Sequence, residues 1–208
     1  FKCGKVVTLE ISRHSHRLPA TFTHAHANTY EIMYCLCGSY VFHYEKPDHT
    51  VVDGFVRKPR TMIFIPKNVP HGLRVLQYPY ERYFIQFSDR TTDRVLRDSI
   101  CQSIFQGDAD SSADAPAPRF LDVSSAAEKV EAILEEMYDV QFSLDWEGDW
   151  KSVYQSSLLG QLFSGLYRDF RSFFCPVAAP YTQPVQMVKN YMDEHYLSLI
   201  HISEPTRP

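Results

Sequence analysis

The chain has no excess of positive charge. Lys and Arg total 21 against 25 Asp and Glu, for a net charge of −4 and a pI near 6.1. A strong nucleic-acid binder needs a basic surface to meet phosphates, so the chain as it stands is not expected to be one. No apolar run approaches the length of a bilayer span, and no signal peptide is visible. A cytoplasmic protein without a membrane partner is expected. Cysteine is sparse and odd in number: Cys3, Cys35, Cys37, Cys101 and Cys175. Cys35 and Cys37 are expected on one strand, and no C-x-x-C pair completes a zinc site. A reduced protein is the simplest reading. G-x-S-x-G, the P-loop and G-x-G-x-x-G are all missing, and nothing points to a Ser-His-Asp arrangement. The first residue is Phe rather than Met, consistent with a start lying upstream.

What is present is a set of histidines with a carboxylate. His24, His26 and Glu31 form H-x-H-x4-E-x6-G up to Gly38, and Pro66 to His71 form P-x-N-x2-H. Histidines two apart on a strand project to one face. A carboxylate on the next strand and a third imidazole after a tight turn can converge on them. Three neutral imidazoles and one carboxylate suit a divalent metal, or a polyol held by hydrogen bonds. The remaining reading is histidines satisfied within a core or turn.

At 208 residues, 44% hydrophobic and 14% aromatic, the chain can bury a real core. Residues 1 to about 88 carry short β-like runs. Val6 to Ile11, Thr29 to Cys37, Tyr40 to Tyr44, Thr50 to Arg57, Thr61 to Ile65 and Tyr80 to Phe87 are expected strands, with Gly38-Ser39 as a two-residue hairpin turn. Such spacing suggests a sandwich or barrel.

Helical spacing begins after Ser88, with Val95, Leu96, Ile100 and Ile104. The run 107–118 is small, acidic and Pro-containing, so a loop is expected. Ser125-x-x-Glu128 reads as a capping box ahead of Val130, Ile133, Leu134, Met137 and Tyr138. A second helix, about Trp150 to Phe173, has a broad apolar stripe with Leu158, Leu159, Leu162, Phe163 and Leu166. That stripe fits a subunit interface or packing on the barrel equally well. Pro176, Pro180 and Pro184 mark a linker, and Pro184 opens a last short helix with Val185, Val188, Tyr191, Met192 and Tyr196 on one face.

The first half resembles the cupin superfamily, on His24, His26, Glu31 and Gly38 and on Pro66 and His71. Leu18 stands where that pattern has its leading Gly. Asn68 stands in place of a Gly, a change that keeps access to the left-handed conformation, and Val75 replaces a trailing Asn. The order of segments resembles an AraC/XylS-type transcriptional regulator, on Phe22 to Gly38, Met62 to His71, Tyr80 to Phe87 and Val185 to Tyr196. The resemblance implies an α+β fold: a cupin-like antiparallel β-barrel of jelly-roll type, then an α-helical pair and a short linker-helix. It implies a ligand-sensing barrel with its following helix at 1–105 and a loop and helical dimerisation pair at 106–175. A linker at 176–183 and the first helix of a truncated helix-turn-helix domain at 184–196 would follow. The last twelve residues, Leu197 to Pro208, resemble the translated adapter of a sequencing library and are set aside; the natural chain is then expected to continue past Tyr196.

The expected function is therefore that of a ligand-responsive regulator, not an enzyme. Its partners would be a small-molecule effector (a sugar among the candidates), a second copy of the chain, and DNA in the full-length protein but not in this fragment. No cofactor is required by this reading. The expected ligand-binding residues are His24, His26, Glu31, Tyr34, His71 and Tyr83, with Tyr34 and Tyr83 offering rings and hydroxyls to a sugar. His24, His26, Glu31 and His71 are also the metal set, should a divalent ion bind. A stand-alone metal-dependent cupin isomerase or dioxygenase is the rival, and a filled dimerisation scaffold is a third reading. His14 and His16 sit in a polar N-terminal segment, an arm over the pocket or a frayed loop. His43 and His49 are expected at the solvent surface.

Overall fold

The computed structural model describes residues 10–16, 23–88, 102–105, 117–146 and 149–174. The expected linker, the helix at 184–196, the adapter-like tail, the loop at 107–116, and Cys3, Cys101 and Cys175 lie outside the described residues, as do the side chains of His14 and His16. Six strands occur: β1 (Glu10–His16), β2 (Tyr30–Glu45), β3 (Val51–Arg57), β4 (Thr61–Ile65), β5 (His71–Phe87) and β6 (Arg119–Asp122). The helices are α1 (Gln102–Phe105), α2 (Ala127–Phe142), α3 (Trp150–Asp169) and α4 (Arg171–Phe174). The sheet runs β1-β5-β2-β4-β6, with β3 also on β2, and every pairing is antiparallel. The architecture is α+β: a curled antiparallel sheet with helices on one face. No helix among the described residues is long and apolar enough to cross a membrane.

One expected turn is not a turn. β2 continues through Gly38-Ser39 for 16 residues instead of reversing there. Gly38 has φ +81, and its register with β5 shifts between Cys35 and Tyr40. The left-handed residue makes a bulge rather than a hairpin, because β5 already pairs on both sides of it. A Cβ at Gly38 would come within 2.6 Å of the Gln77 and Pro79 carbonyl oxygens. The two longest strands bend together at this bulge, which curls the sheet.

The sheet buries both faces. Met33, Cys35, Tyr40, Phe42, Ile63, Ile65, Leu73 and Tyr80 fill the concave side. Ile32, Tyr34, Phe64, Tyr83, Ile85 and Phe87 point the other way, into a cluster with Leu134, Met137, Leu159 and Phe163 of the helices. Burial on both faces explains why β2 opens as an unbroken buried run rather than an alternating one. The broad stripe of α3 is largely spent on the sheet: Leu158, Leu159, Leu162, Phe163 and Leu166 are buried, and the Phe87 and Phe163 rings meet edge-on at 5.8 Å. Each such side chain contributes roughly 1.5–3 kcal/mol by burial. α3 stops at Asp169, short of the expected Phe173, and Phe170 separates it from α4.

The start of α2 also differs in detail. The expected capping box at Ser125 does not form. A 3-10 turn, Ser124–Ala126, leads into Ala127, and no side chain caps the helix. Instead Asp122 Oδ1 accepts from the Ser124 N–H at 2.9 Å and its hydroxyl at 2.5 Å. The Asp at the end of β6 makes the turn one step earlier than the Ser-x-x-Glu spacing suggested.

Candidate functional site

The P-x-N-x2-H turn builds the site. Asn68 takes the left-handed conformation at φ 61, and its N–H donates to the His26 carbonyl at 2.9 Å. Three residues on, His71 pairs with His24 as an isolated antiparallel bridge: His24 N–H donates to the His71 carbonyl at 3.0 Å and His71 N–H to the His24 carbonyl at 2.8 Å. The H-x-H segment is thus pinned to the turn by backbone hydrogen bonds rather than lying within a long strand. Ring centroids stand 4.9 Å apart for His24 and His26, and 4.5 Å for His24 and His71. Glu31 enters from β2, opposite Gln86 of β5 and Ile65 of β4. One ligand atom from each of His24, His26, Glu31 and His71 lies within 4.8 Å of the others.

Glu31 and His71 are buried, at 4% and 2% exposure. Burial alone would push the Glu31 carboxyl up. The hydrogen bond from His26 and the nearby His26 and His71 imidazoles outweigh it and hold the carboxyl well below its ordinary range. Burial, reinforced by His71, pushes the His24 imidazole down, toward the neutral form that carries a lone pair. His26 Nε2 lies 2.7 Å from Glu31 Oε2.

The decisive geometry is at His71. Its Nδ1 lies 2.9 Å from the Val69 carbonyl, which can only accept, so Nδ1 carries the proton. In the neutral ring Nε2 is then an acceptor, buried and without a hydrogen-bond partner. It faces Glu31 Oε2 at 3.8 Å. With the ring neutral, two acceptors face each other across a gap that a proton or a metal cation would fill. A carbonyl behind the far ring nitrogen is also what orients a metal-binding histidine. The chemistry of the donor set therefore fits a divalent metal, held by His24, His26, Glu31 and His71.

Tyr34 and Tyr83 do not join these four. They lie on the opposite face of the sheet, in the helix-facing cluster. Tyr34 donates its hydroxyl to Glu131 of α2 at 2.6 Å, and Tyr83 packs on Tyr138 at 6.0 Å with Arg13 over its ring. The reason is strand parity: Tyr34 is three residues from Glu31, so the two point to opposite sides. His49 is exposed as expected, whereas His43 is half-buried and lies 3.1 Å from the Thr23 hydroxyl. Gln86 was not anticipated; its amide nitrogen lies 3.3 Å from Glu31 Oε2 and 3.2 Å from His26 Nε2. The alternation of Arg82, Phe84 and Gln86 along β5 was its only sequence signal.

The fold is a curled antiparallel β-sheet, a half-barrel, with a few helices. No family model matches the chain, and no curated protein matches it. Among solved structures, it is similar to oxalate decarboxylase from Bacillus subtilis at pH 4.6, with 17% identity over 43% of this chain and 23% of that one, TM-score 0.36. It is similar to the coconut allergen cocosin at 21% identity over 39% of this chain and 22% of that one, TM-score 0.35. It is similar to apo ToxT from Vibrio cholerae strain SCE256 at 10% identity, covering 80% of this chain and 58% of that one, TM-score 0.47. The chain thus spans less than two thirds of each of these proteins.

Proposed function

We propose that the chain is the effector-binding and dimerisation part of a ligand-responsive transcriptional regulator of AraC type. The observation that carries this reading is the double role of β2. Its inner face holds Glu31 in the four-residue site, and its outer face holds Tyr34, whose buried hydroxyl donates to Glu131 on α2. A change in occupancy at Glu31 thus has a short rigid path to the helical pair, and a ligand that favours one arrangement shifts the population. In this reading 1–105 senses, 106–175 dimerises, and the linker at 176–183 and helix at 184–196 lead to DNA-binding elements of the full-length protein. A groove of ≈ 650 Å³ between α2 and α3, lined by Lys129, Ala132, Ile133, Gln161, Gly165 and others, supports contact with a second copy.

The opposed acceptors at Glu31 and His71 favour a second reading, a metal-dependent cupin enzyme. A divalent ion on His24, His26, Glu31 and His71 would supply a Lewis acid able to polarise a bound oxygen donor. Oxalate decarboxylase, one of the similar structures, has Mn(II) centres. The two readings separate on the full-length gene product. The regulator reading expects effector-dependent binding to promoter DNA that responds to Tyr34→Phe. Stoichiometric metal, turnover of a small organic substrate and no DNA binding would replace it with the enzyme.

A further inference from the structure

Arg82 is a half-buried cation that takes no part in the four-residue site. It projects from β5 on the same side as Phe84 and Gln86, opposite Cys35 of β2. Its Nη1 meets the Met33 sulfur at 2.8 Å, a weak acceptor, and its guanidinium carbon lies 5.8 Å from the Phe84 ring centroid. Its Nε is buried without a hydrogen-bond partner. Among the described residues no carboxylate forms an ion pair with it. The Tyr40 hydroxyl, also buried and without a partner, belongs to the same interior cluster. A half-buried guanidinium with only the Tyr80 hydroxyl and the Met33 sulfur beside it keeps donors to spare for an anion.

Arg82 also stands in line with the four-residue site. Met33, which its Nη1 touches, is two residues from Glu31 on β2, about 7 Å along the strand. Arg82, Phe84, Gln86, His24 and His26 are all half-buried.

We infer that Arg82 anchors the carboxylate of a small organic acid whose far end reaches the His24, His26, Glu31 and His71 set. The planar guanidinium accepts a carboxylate in two parallel hydrogen bonds, which an ammonium cannot reproduce. The far end must be an oxygen donor rather than a second free anion beside Glu31, unless a metal ion intervenes. This inference rests on the binding-site reading above and names its ligand class as an organic acid rather than a neutral sugar.

The test uses the whole chain, with and without Mn²⁺, in calorimetry and thermal-shift assays. The probes are 2-hydroxyglutarate, glutarate, the neutral glutaramide, arabinose and inorganic phosphate. Binding of the acids but not of glutaramide is expected. Arg82→Gln should weaken that binding by about 10- to 100-fold, the worth of charged hydrogen bonds, and Arg82→Lys should restore only part of it. Acids that bind no better than glutaramide, or equally well to Arg82→Gln, would overturn the inference. If Arg82→Gln fails to fold, the acid-against-amide comparison on the unaltered chain and Arg82→Lys still decide it. A larger response to phosphate than to either acid would overturn the carboxylate assignment. Arabinose binding without acid binding would overturn it while leaving the sensor reading intact. Neither ligand nor metal binding would remove both.

Discussion

Replacing Glu31 by Gln should stabilise the metal-free protein, contrary to the usual result of altering a buried ion pair. In the native arrangement Glu31 Oε2 and the partnerless His71 Nε2 face each other at 3.8 Å. Glutamine has the same shape, and an amide nitrogen standing where Oε2 stands can donate one hydrogen to His71 Nε2 and the other to His26 Nε2. The cost of a buried unsatisfied acceptor, ~1–3 kcal/mol, is then recovered. For a domain of this size that gain corresponds to a rise of about 2–12 °C in melting temperature. The measurement is thermal unfolding at about pH 8, where protons are scarce, in excess chelator. Adding Mn²⁺ or Zn²⁺ completes it. At a hundred times the dissociation constant the native protein should gain about 2.7 kcal/mol, whereas Glu31→Gln, lacking the anionic ligand, should gain almost nothing. A variant that melts below the chelated native protein would refute the opposed-acceptor argument. A variant that keeps the full metal shift would refute the assignment of Glu31 as a ligand.

Acidification should destabilise the fold in two windows. The His24 pKa is lowered from 6.5, so the unfolded chain takes up its proton first and stability falls as pH drops below about 6.5; His24→Gln should flatten that slope in urea titrations. The Glu31 pKa is lowered from 4.5 by the hydrogen bonds and charge of His26 and His71, a stabilisation that operates where the imidazoles carry protons, below the pH of about 8 in the first test; it is lost as pH falls below 4.5, and Glu31→Gln should lack this second decline. Tyr34→Phe and Glu131→Gln should each cost about 1–3 kcal/mol and show a coupling of about 1 kcal/mol or more in a double-mutant cycle; strict additivity would mean that the 2.6 Å hydrogen bond couples nothing. Gly38→Ala should lower stability by at least about 2 kcal/mol, because φ +81 and two carbonyl oxygens at 2.6 Å leave no room for a Cβ, and near-neutral chemical denaturation would contradict the bulge. Ala132→Glu in the α2–α3 groove should shift the protein toward monomer in light scattering with little change in melting temperature; an unchanged mass would place any dimer contact elsewhere.

Much of the site was legible from spacing because the motif is local in two pieces. His24 and His26 are two apart, and the turn from Pro66 ends on the third imidazole, His71. The misplacement of Tyr34 was avoidable, since an odd separation from Glu31 already sends it to the other face. Gln86 and Arg82 were not legible in the same way. Their partners depend on which residues of β5 stand opposite Glu31 and Cys35, and that register passes through a bulge at Gly38. Treating Gly38-Ser39 as a hairpin would have put quite different residues side by side.

The residue types and their spacing determined, without coordinates, that three imidazoles and an acid would be offered together, that strands come before helices, and that α2 and α3 each have an apolar face. Those properties depend on periodicity and turn chemistry within short stretches of chain. Only the folded chain decided that β2 runs on through Gly38, that the α3 stripe is spent on the sheet, that the neutral His71 ring points a lone pair at Glu31, and that Arg82 lies half-buried with no carboxylate paired to it among the described residues. Each of these is a relation between segments distant along the chain, set by strand register and by which surface finds a partner first, and no local pattern encodes it.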